Sequence, residues 1–585
     1  MKSLPTRFLS VALAITFATT VAISANSPVL AHPAGKSLKT LRWYGLSELG
    51  GAQWAATLDP SQITDSVSYN IANMIYSNLV KLLPDGSVAP GLAQKWSESK
   101  NHLTYTFTLR KNLHFSNGDK LTASDVDFSI TRALLKSTAS PVALLYDGHI
   151  VGAGAVNSGK TNKLKGIQVV NSRVLKITLD KPIVYFLKTL TYPTADVLDP
   201  KVVGGKPAQT YITNTCTGNV GDGPFKYKCR NNKTDPNHSG WFKPGSSVQI
   251  QMVPNPKFYG PKPKINISMK VYNDAQANYK AFQNNQVDVS FVPTSYVSSL
   301  RGKPGFFDFP TSITDYMTPN EHADSQFKNV HCRLAIAYAI NRNAIDKQVL
   351  RGTQVATYQV LPQNLKGFYN KGFVSNKSWA PHYDLKKAKA ELKKCPSGLK
   401  NVVIPYQHTS VDIDNEYGAI VQMINNLGSG VHASLKPLTF NQWLGVVGGP
   451  SLDKTVIGKV DLTENLWIED YPDPQDYMTN LLRSGANYDI GGFNNSTYNA
   501  LVDKAEICNK NCKVGKTTYK TRADLYTKAQ KIALNAGAWI AIGNQHSLAV
   551  VREQKGLHVK GLVGSAAYGI MVPKADNWAS VSITK

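Results

Sequence analysis

The chain has 585 residues, 42% of them hydrophobic, with Gly 43 and Pro 31, a composition that excludes collagen-like and disordered chains. Lys plus Arg total 65 against 39 for Asp plus Glu, a formal charge of +26, which favours anionic surfaces such as cell-wall polymers or lipid head groups. The basic residues fall in short groups such as "DLKKAKAELKK" with no stacking aromatics between them, so no nucleic-acid partner is expected.

The amino terminus reads as an export signal. Lys2 and Arg7 precede an apolar run from Phe8 to Ile23, and "SPVLAHP" offers Val29-x-Ala31 as a cleavage site. Residues 1–31 are therefore expected to be removed and the mature chain to be periplasmic or held at the cell surface. The first cysteine is Cys216, so no lipid-attachment cysteine follows the apolar run. No later segment reaches about 18 consecutive apolar residues.

"SLKTLRWYGL" predicts a first strand, "TLDP" a turn and "NIANMIYSNLVKLL" an apolar-periodic helix. "HLTYTFTLRKNLHFS" alternates Leu103, Tyr105, Phe107 and Leu109 with polar residues, as a strand with one wet face does. "NGDKLTASDVDFSITRAL" predicts a turn at Asn117-Gly118, a cap at Thr122 or Ser124 and an amphipathic helix. "VLKITLD" is another strand. From Thr213 to Gly260 the composition is that of a decorated surface insertion containing Cys216 and Cys229. "INISMKVYND" and "AQANYKAFQNNQVDVSFVP" then give strand, helix, strand, the pattern of an α/β layer with a parallel sheet. A second such series runs from "CRLAIAYAINRNAIDKQVL" through "NVVIPYQH", "EYGAIVQMINNLG" and "ASLKPLT" to "RADLYTKAQKIALNAGAW". Two or more α/β lobes with a cleft between them are expected.

Six cysteines allow 15 connectivities. Cys216 with Cys229 and Cys508 with Cys512 are the local pairs, which leaves Cys332 with Cys395; an exported chain lets such bonds persist. "CNKNC" has CxxxC spacing without a partner pair, and His149, His322, His408 and His546 are scattered, so no metal or other cofactor is expected. Gly154 to Thr161, "GAVNSGKT", matches a phosphate loop formally, but such a loop must follow a buried strand and open a helix, and the flanking sequence offers neither. No G-x-S-x-G elbow is present, and an enzyme is not expected.

Five stretches in order, "TLDP", "MIYSNLVKLLPDGSVAPGLAQKWSESKNHLTYTFTLRKNLHFSNGDKLTASDVDFSITRAL", "AYAINRNAI", "WIEDYPDP" and "LYTKAQKIALNAGAWIAI", resemble the family 5 extracytoplasmic solute-binding proteins of ABC importers, the oligopeptide and dipeptide class. The resemblance implies a periplasmic-binding-protein-like α/β fold, two lobes built from three domains around a ligand cleft. Domain I would comprise residues 32–75, 195–316 and 547–585, domain II residues 76–194, and domain III residues 317–546. It also implies a monomer that closes on a peptide and docks on the permease subunits of an importer. An oligosaccharide or a metal chelate is the alternative ligand on the same fold.

"LWIEDYPDPQDYMTNLL" sets Glu469, Asp470 and Asp473 around Trp467. By composition this is an acidic loop capping the next helix, with Asp473 or Asp476 as N-cap. The resemblance instead makes Trp467-x-x-Asp470 a ligand motif, in which Asp470 pairs with the α-ammonium of a peptide through a charge-assisted bond, Trp467 walls the site, and the backbone of Leu466 to Ile468 adds strand-like hydrogen bonds. Thr64, Asp65 and Ser66 are carried over as further ligand-binding positions.

Overall fold

The computed structural model describes residues 38–46, 57–204, 220–228, 249–272, 275–321, 325–396, 398–408, 410–428, 430–447, 460–486, 488–554, 557–565 and 570–584. The export signal, Cys216, Cys229 and His322 lie outside the described residues. Among those described, no helix is long and apolar enough to cross a membrane.

Strand β1 (Thr40–Leu46) is followed by the "TLDP" turn, where buried Asp59 accepts from the Ser61 amide at 3.0 Å. Helix α1 (Ser66–Ile75) starts on Asp65, whose carboxylate accepts from the Ser68 amide at 2.8 Å. The predicted helix through Leu83 is corrected here. It stops at Ile75, and Val80–Leu82 form β2, hairpinned antiparallel on β3 (Val88–Pro90). The apolar run misleads because Tyr76, Leu79, Val80 and Leu82 are all buried, and an apolar run this short has no period that tells a strand from a helix.

Strands β4 (Ala93–Glu98), β5 (Thr104–Leu109), β6 (Ile167–Asn171) and β7 (Val174–Thr178) make one antiparallel sheet in the order β4-β5-β7-β6. Tyr105, Phe107 and Leu109 face its core in alternation, as the sequence pattern requires. Between β5 and β6, helix α2 (Ala123–Leu134) opens on a Thr122–Asp125 capping box, and its buried Arg132 pairs with Asp59 at 2.8 Å. The Gly154–Thr161 stretch falls on α3 (Ala153–Asn157) and the turn after it, behind an isolated bridge at Ile150 in place of a buried strand. It lacks the geometry of a phosphate loop.

The chain then returns to the first sheet through β8 (Phe225–Tyr227), β9 (Gln249–Pro254) and β10 (Asn266–Tyr272), in the order β1-β10-β9-β8 with only β1 and β10 parallel. Helix α4 (Ala275–Gln283) leads to β11 (Val289–Phe291) and the long β12 (Phe306–Pro319). Helix α5 (Val330–Ala339), β13 (Gln354–Ala356), β14 (Val402–Gln407), α6 (Val411–Asn425), β15 (Ala433–Leu438) and β16 (Leu462–Trp467) follow. The chain continues as α7 (Pro474–Met478), the hairpin β17 (Lys510–Val514) and β18 (Thr517–Thr521), α8 (Arg522–Asn535) and the long β19 (Ile540–Val551). A sheet ordered β11-β19-β12-β16, with β13 beside β19, is antiparallel throughout. The expected parallel layer is thus confined to the pairs β1·β10 and β14·β15. The strand after α4 does not return beside β10; it pairs with β19 from the far end of the chain.

Burial sorts into a few cores. One gathers Leu41 and Trp43, Phe225 and Met252, and Trp578; a second draws almost wholly on residues 79–197, joined by Tyr471; two more draw on residues 316–542. Disulfides join Cys332 to Cys395 and Cys508 to Cys512.

Candidate ligand-binding site

Strand β16 pairs only with β12 among the described strands, Leu466 lying opposite Asp315 and Trp467 opposite Thr314. Its outer edge meets no further strand among the described residues, only the Trp443 indole N–H on the Glu464 carbonyl at 3.3 Å, and an edge of this kind is open to a ligand strand. Past Trp467 the chain leaves the strand and re-enters a helix at Pro474. Asp473 supplies the N-cap, its carboxylate accepting from the Gln475 amide at 3.0 Å, and proline occupies the first helical position. Asp473 is thus a structural acid. It is buried, receives Arg522 at 2.6 and 2.8 Å, and meets Lys188 at 3.3 Å. Burial pushes its carboxyl up, but the Arg522 guanidinium and then Lys188 hold it below the usual carboxylate range.

Asp476, the other N-cap candidate, instead ties the loop together. One of its oxygens accepts both the Trp467 indole N–H and the Asp470 amide at 2.9 Å. Glu469 is buried, accepts from Asn364 at 3.3 Å and has its other oxygen unpaired; burial raises its carboxyl to about 8, with Lys188 pulling the other way. Asp470 is half-buried and forms no ion pair with Lys or Arg among the described residues. Burial raises it to about 7, opposed by the Tyr192 hydroxyl.

That hydroxyl marks where the site's parts meet. Tyr192 donates to the Ile63 carbonyl at 3.0 Å. Burial pushes its own ionisation well up, and the charges of Asp470 and Asp65 add to the shift. The structure therefore brings two carried-over acids, one on α1's cap and one after β16, to a single tyrosine. Trp467 meets Tyr488 edge-on at 5.0 Å. Thr64 is exposed and Ser66 begins α1. Leu466 and Ile468 line a cavity of about 290 Å³ shared with β14, α6 and β19. A larger cavity of about 580 Å³ between α1, the β2–β3 hairpin and residues 570–578 touches none of the carried-over residues. Tyr192 and Tyr488 were not singled out from sequence; neither "TYPTAD" nor "NYDI" carries a pattern that would flag it.

Across this loop the β4–β7 body and the residues after β16 are in direct contact. Lys188 Nζ donates to the Pro472 carbonyl at 2.6 Å, Lys181 meets Glu506 at 2.6 Å, and Tyr185 stacks on Tyr471 at 5.7 Å and 6°.

Residues 87–489 match the model of the bacterial extracellular solute-binding proteins, family 5. The chain belongs to this family. Among relatives, the dipeptide-binding protein of Lactococcus lactis subsp. cremoris is 28% identical over 497 residues, covering 83% of this chain and 86% of the relative. The oligopeptide-binding protein OppA of Bacillus subtilis is 26% identical over 500 residues, covering 82% and 84%. The structure of Listeria monocytogenes OppA bound to peptide superposes with a TM-score of 0.72 at 22% identity, covering 94% of this chain and 100% of that one. The family 5 fold, with α/β lobes of the periplasmic-binding-protein kind, is therefore established for this solute-binding protein.

Proposed function

We propose that this family 5 protein captures a peptide, or a similar amine-bearing solute, against β16 and passes it to the permease of an ABC importer, acting as an exported monomer without turnover. The observation that carries this reading is Asp470: a half-buried carboxylate with no Lys or Arg partner among the described residues, raised to about 7 by desolvation, beside a strand whose outer edge meets no other strand among those described. A ligand ammonium supplies the missing charge, and a peptide backbone supplies the missing strand. The names of the relatives point to the same ligand class. We further propose the three-domain partition 32–75, 195–316 and 547–585; 76–194; and 317–546, which the separate cores support, and pairing of Cys216 with Cys229.

Native mass spectrometry of the purified protein identifies the ligand: peptide adducts support the reading, and hexose increments overturn it. With a bound peptide in hand, Asp470→Asn keeps shape but removes charge, and affinity should fall about 30-fold to several thousand-fold, the consequence of losing about 2–5 kcal/mol. Equal affinity in calorimetry would mean that no ligand amine sits at Asp470.

A further inference from the structure

The cavity beside Leu466 and Ile468 has a chemistry of its own. Glu464, Leu466 and Ile468 reach it from alternate positions of one extended run, and Glu416 and Asp412 reach it from α6. Glu464 and Glu416 are 3% and 1% exposed, and Asp315 lies behind them, 2% exposed and held by Gln545 at 2.8 and 3.0 Å. Among the described residues no Lys or Arg is on the lining, and the lining side chain able to carry positive charge, His546, already meets Asp308 at 2.6 Å.

Protein donors meet these acids only in part. Glu464 accepts from the Gln407 amide at 3.1 Å, Glu416 from Gln354 Nε2 at 3.0 Å, and Asp412 from the Thr294 hydroxyl at 2.7 and 2.8 Å. Two further polar atoms on the same lining have no partner among the described residues: Gln354 Oε1 and the Ser547 hydroxyl, on residues 3% and 6% exposed. Unpartnered buried acceptors are uncommon and call for a donor. Burial raises Glu464 to about 8 and Glu416 well above the carboxylate range, with the negative charge of Asp315 raising both further. At about 290 Å³ the space falls at the bottom of the range of small-molecule sites, about 300–1,000 Å³. It suits a side chain better than a whole ligand.

We propose that this cavity is a subsite for a cationic side chain, so that the preferred ligands are peptides carrying a Lys or Arg downstream of the amino end. The inference rests on the peptide reading above. An ammonium or guanidinium brings several N–H donors to a lining that has acceptors in excess, and its positive charge favours ionisation of the carboxyls that burial alone keeps protonated. Glu464 lies three residues before the end of β16 at Trp467, about 10 Å at about 3.3 Å per residue, and Asp470 three residues beyond that end. A ligand strand anchored at Asp470 by its amine and running along β16 carries its later side chains past the cavity mouth, on alternate positions.

The test is calorimetry with alanine hexapeptides carrying one Lys at each of positions two to six, against counterparts with norleucine. At one or two alternate positions Lys should bind at least about tenfold tighter than norleucine, the worth of one charge-assisted hydrogen bond. In the Glu416→Gln, Glu464→Gln double variant that preference should shrink to about threefold or less. Thermal unfolding reports whether the variant folds, and single Glu464→Gln stands in if it does not. Lys and norleucine binding alike at every position would overturn the subsite while leaving the peptide reading intact, and a preference that survives in the variant would also overturn it. If neither series binds the wild type, the peptide reading falls and the subsite with it.

Discussion

A carboxylate that desolvation holds near neutrality is a poor ion but a strong ligand for one. Asp470 is raised to about 7 by burial, so below that value it is largely protonated and offers no countercharge, whereas above it the charge is present and unpaired. Cation binding should therefore strengthen as pH rises from 5 to 8 and weaken by up to about tenfold per unit below the pKa. Calorimetry of a bound peptide across that range checks it, with Asp470→Asn as the comparison; a flat profile in wild type would place the ligand amine elsewhere. The neighbouring acids differ only in their surroundings. Asp473 has Arg522 and stays ionised, while Glu469 has little beyond Asn364 and rises to about 8. Sequence makes Trp467 and Asp470 legible through the family motif alone. It cannot sort Asp470, Asp473 and Asp476 into proposed ligand partner, helix cap and loop tie, because that sorting depends on Arg522, Lys188 and Tyr192 arriving from other parts of the chain.

Among elements, the best-read ones carry their own boundary chemistry. Helix α2 is announced by Thr122 and by Asp125 three residues on, and the structure forms that box. Strand β5 is announced by strict alternation. The α1–β2 boundary has neither signal, and its stop at Ile75 is fixed from outside: the Gly223 amide donates to the Ile75 carbonyl at 2.8 Å. A Cβ on Gly223 would lie 2.6 Å from the Ile75 carbonyl carbon, and backbone cannot yield as a flexible side chain does. Gly223→Ala should destabilise the protein by about 1–3 kcal/mol, as overpacking does, read as a lower midpoint in urea; an unchanged midpoint would mean that α1 can shift its end freely. The parallel-sheet expectation holds for β14, α6 and β15 and misses for β11, because strand–helix–strand order does not say which strand the third one meets, and β11 meets β19.

At the scale of the whole molecule, Lys181, Lys188 and Tyr185 join the second core to the segments around Glu506 and Asp473, contacts that separation of the proposed domains would break. The proposed boundaries at 316/317 and 546/547 fall inside β12 and β19, whose pairing is interrupted between Pro310 and Thr314 and again between Asp315 and Tyr316. A ligand touching both sides favours closure by its differential affinity. Small-angle scattering should show a smaller radius with peptide than without, and a larger ligand-free radius for Lys181→Met, Lys188→Met; a radius indifferent to ligand would remove the hinge.

Stability should also follow pH in a definite direction. Desolvation raises Asp222, Glu464 and Glu469 to about 8 and Asp315, Glu321, Asp470 and Asp489 to about 7. Between the ordinary carboxylate range and those values the folded state keeps protons that the unfolded chain has released, so stability falls as pH rises through that window. Half-buried His149 and buried His382, both lowered by desolvation, pull the other way below the ordinary histidine range. Thermal unfolding without ligand should give a higher midpoint at pH 6 than at pH 8, and the reverse order would mean that the acids are not buried in solution.

The first core places Trp43 and Trp578 edge to face at 5.7 Å and Phe225 against Trp578 at 5.1 Å. Emergence during synthesis is vectorial, so this core waits for nearly the whole chain, while the residues 79–197 that make most of the second core appear early. The half-made first sheet, with β1 exposed until β10 arrives and both uncovered until Trp578 does, is the interval in which the nascent protein is most open to aggregation and to proteases, and the interval a folding helper would have to guard.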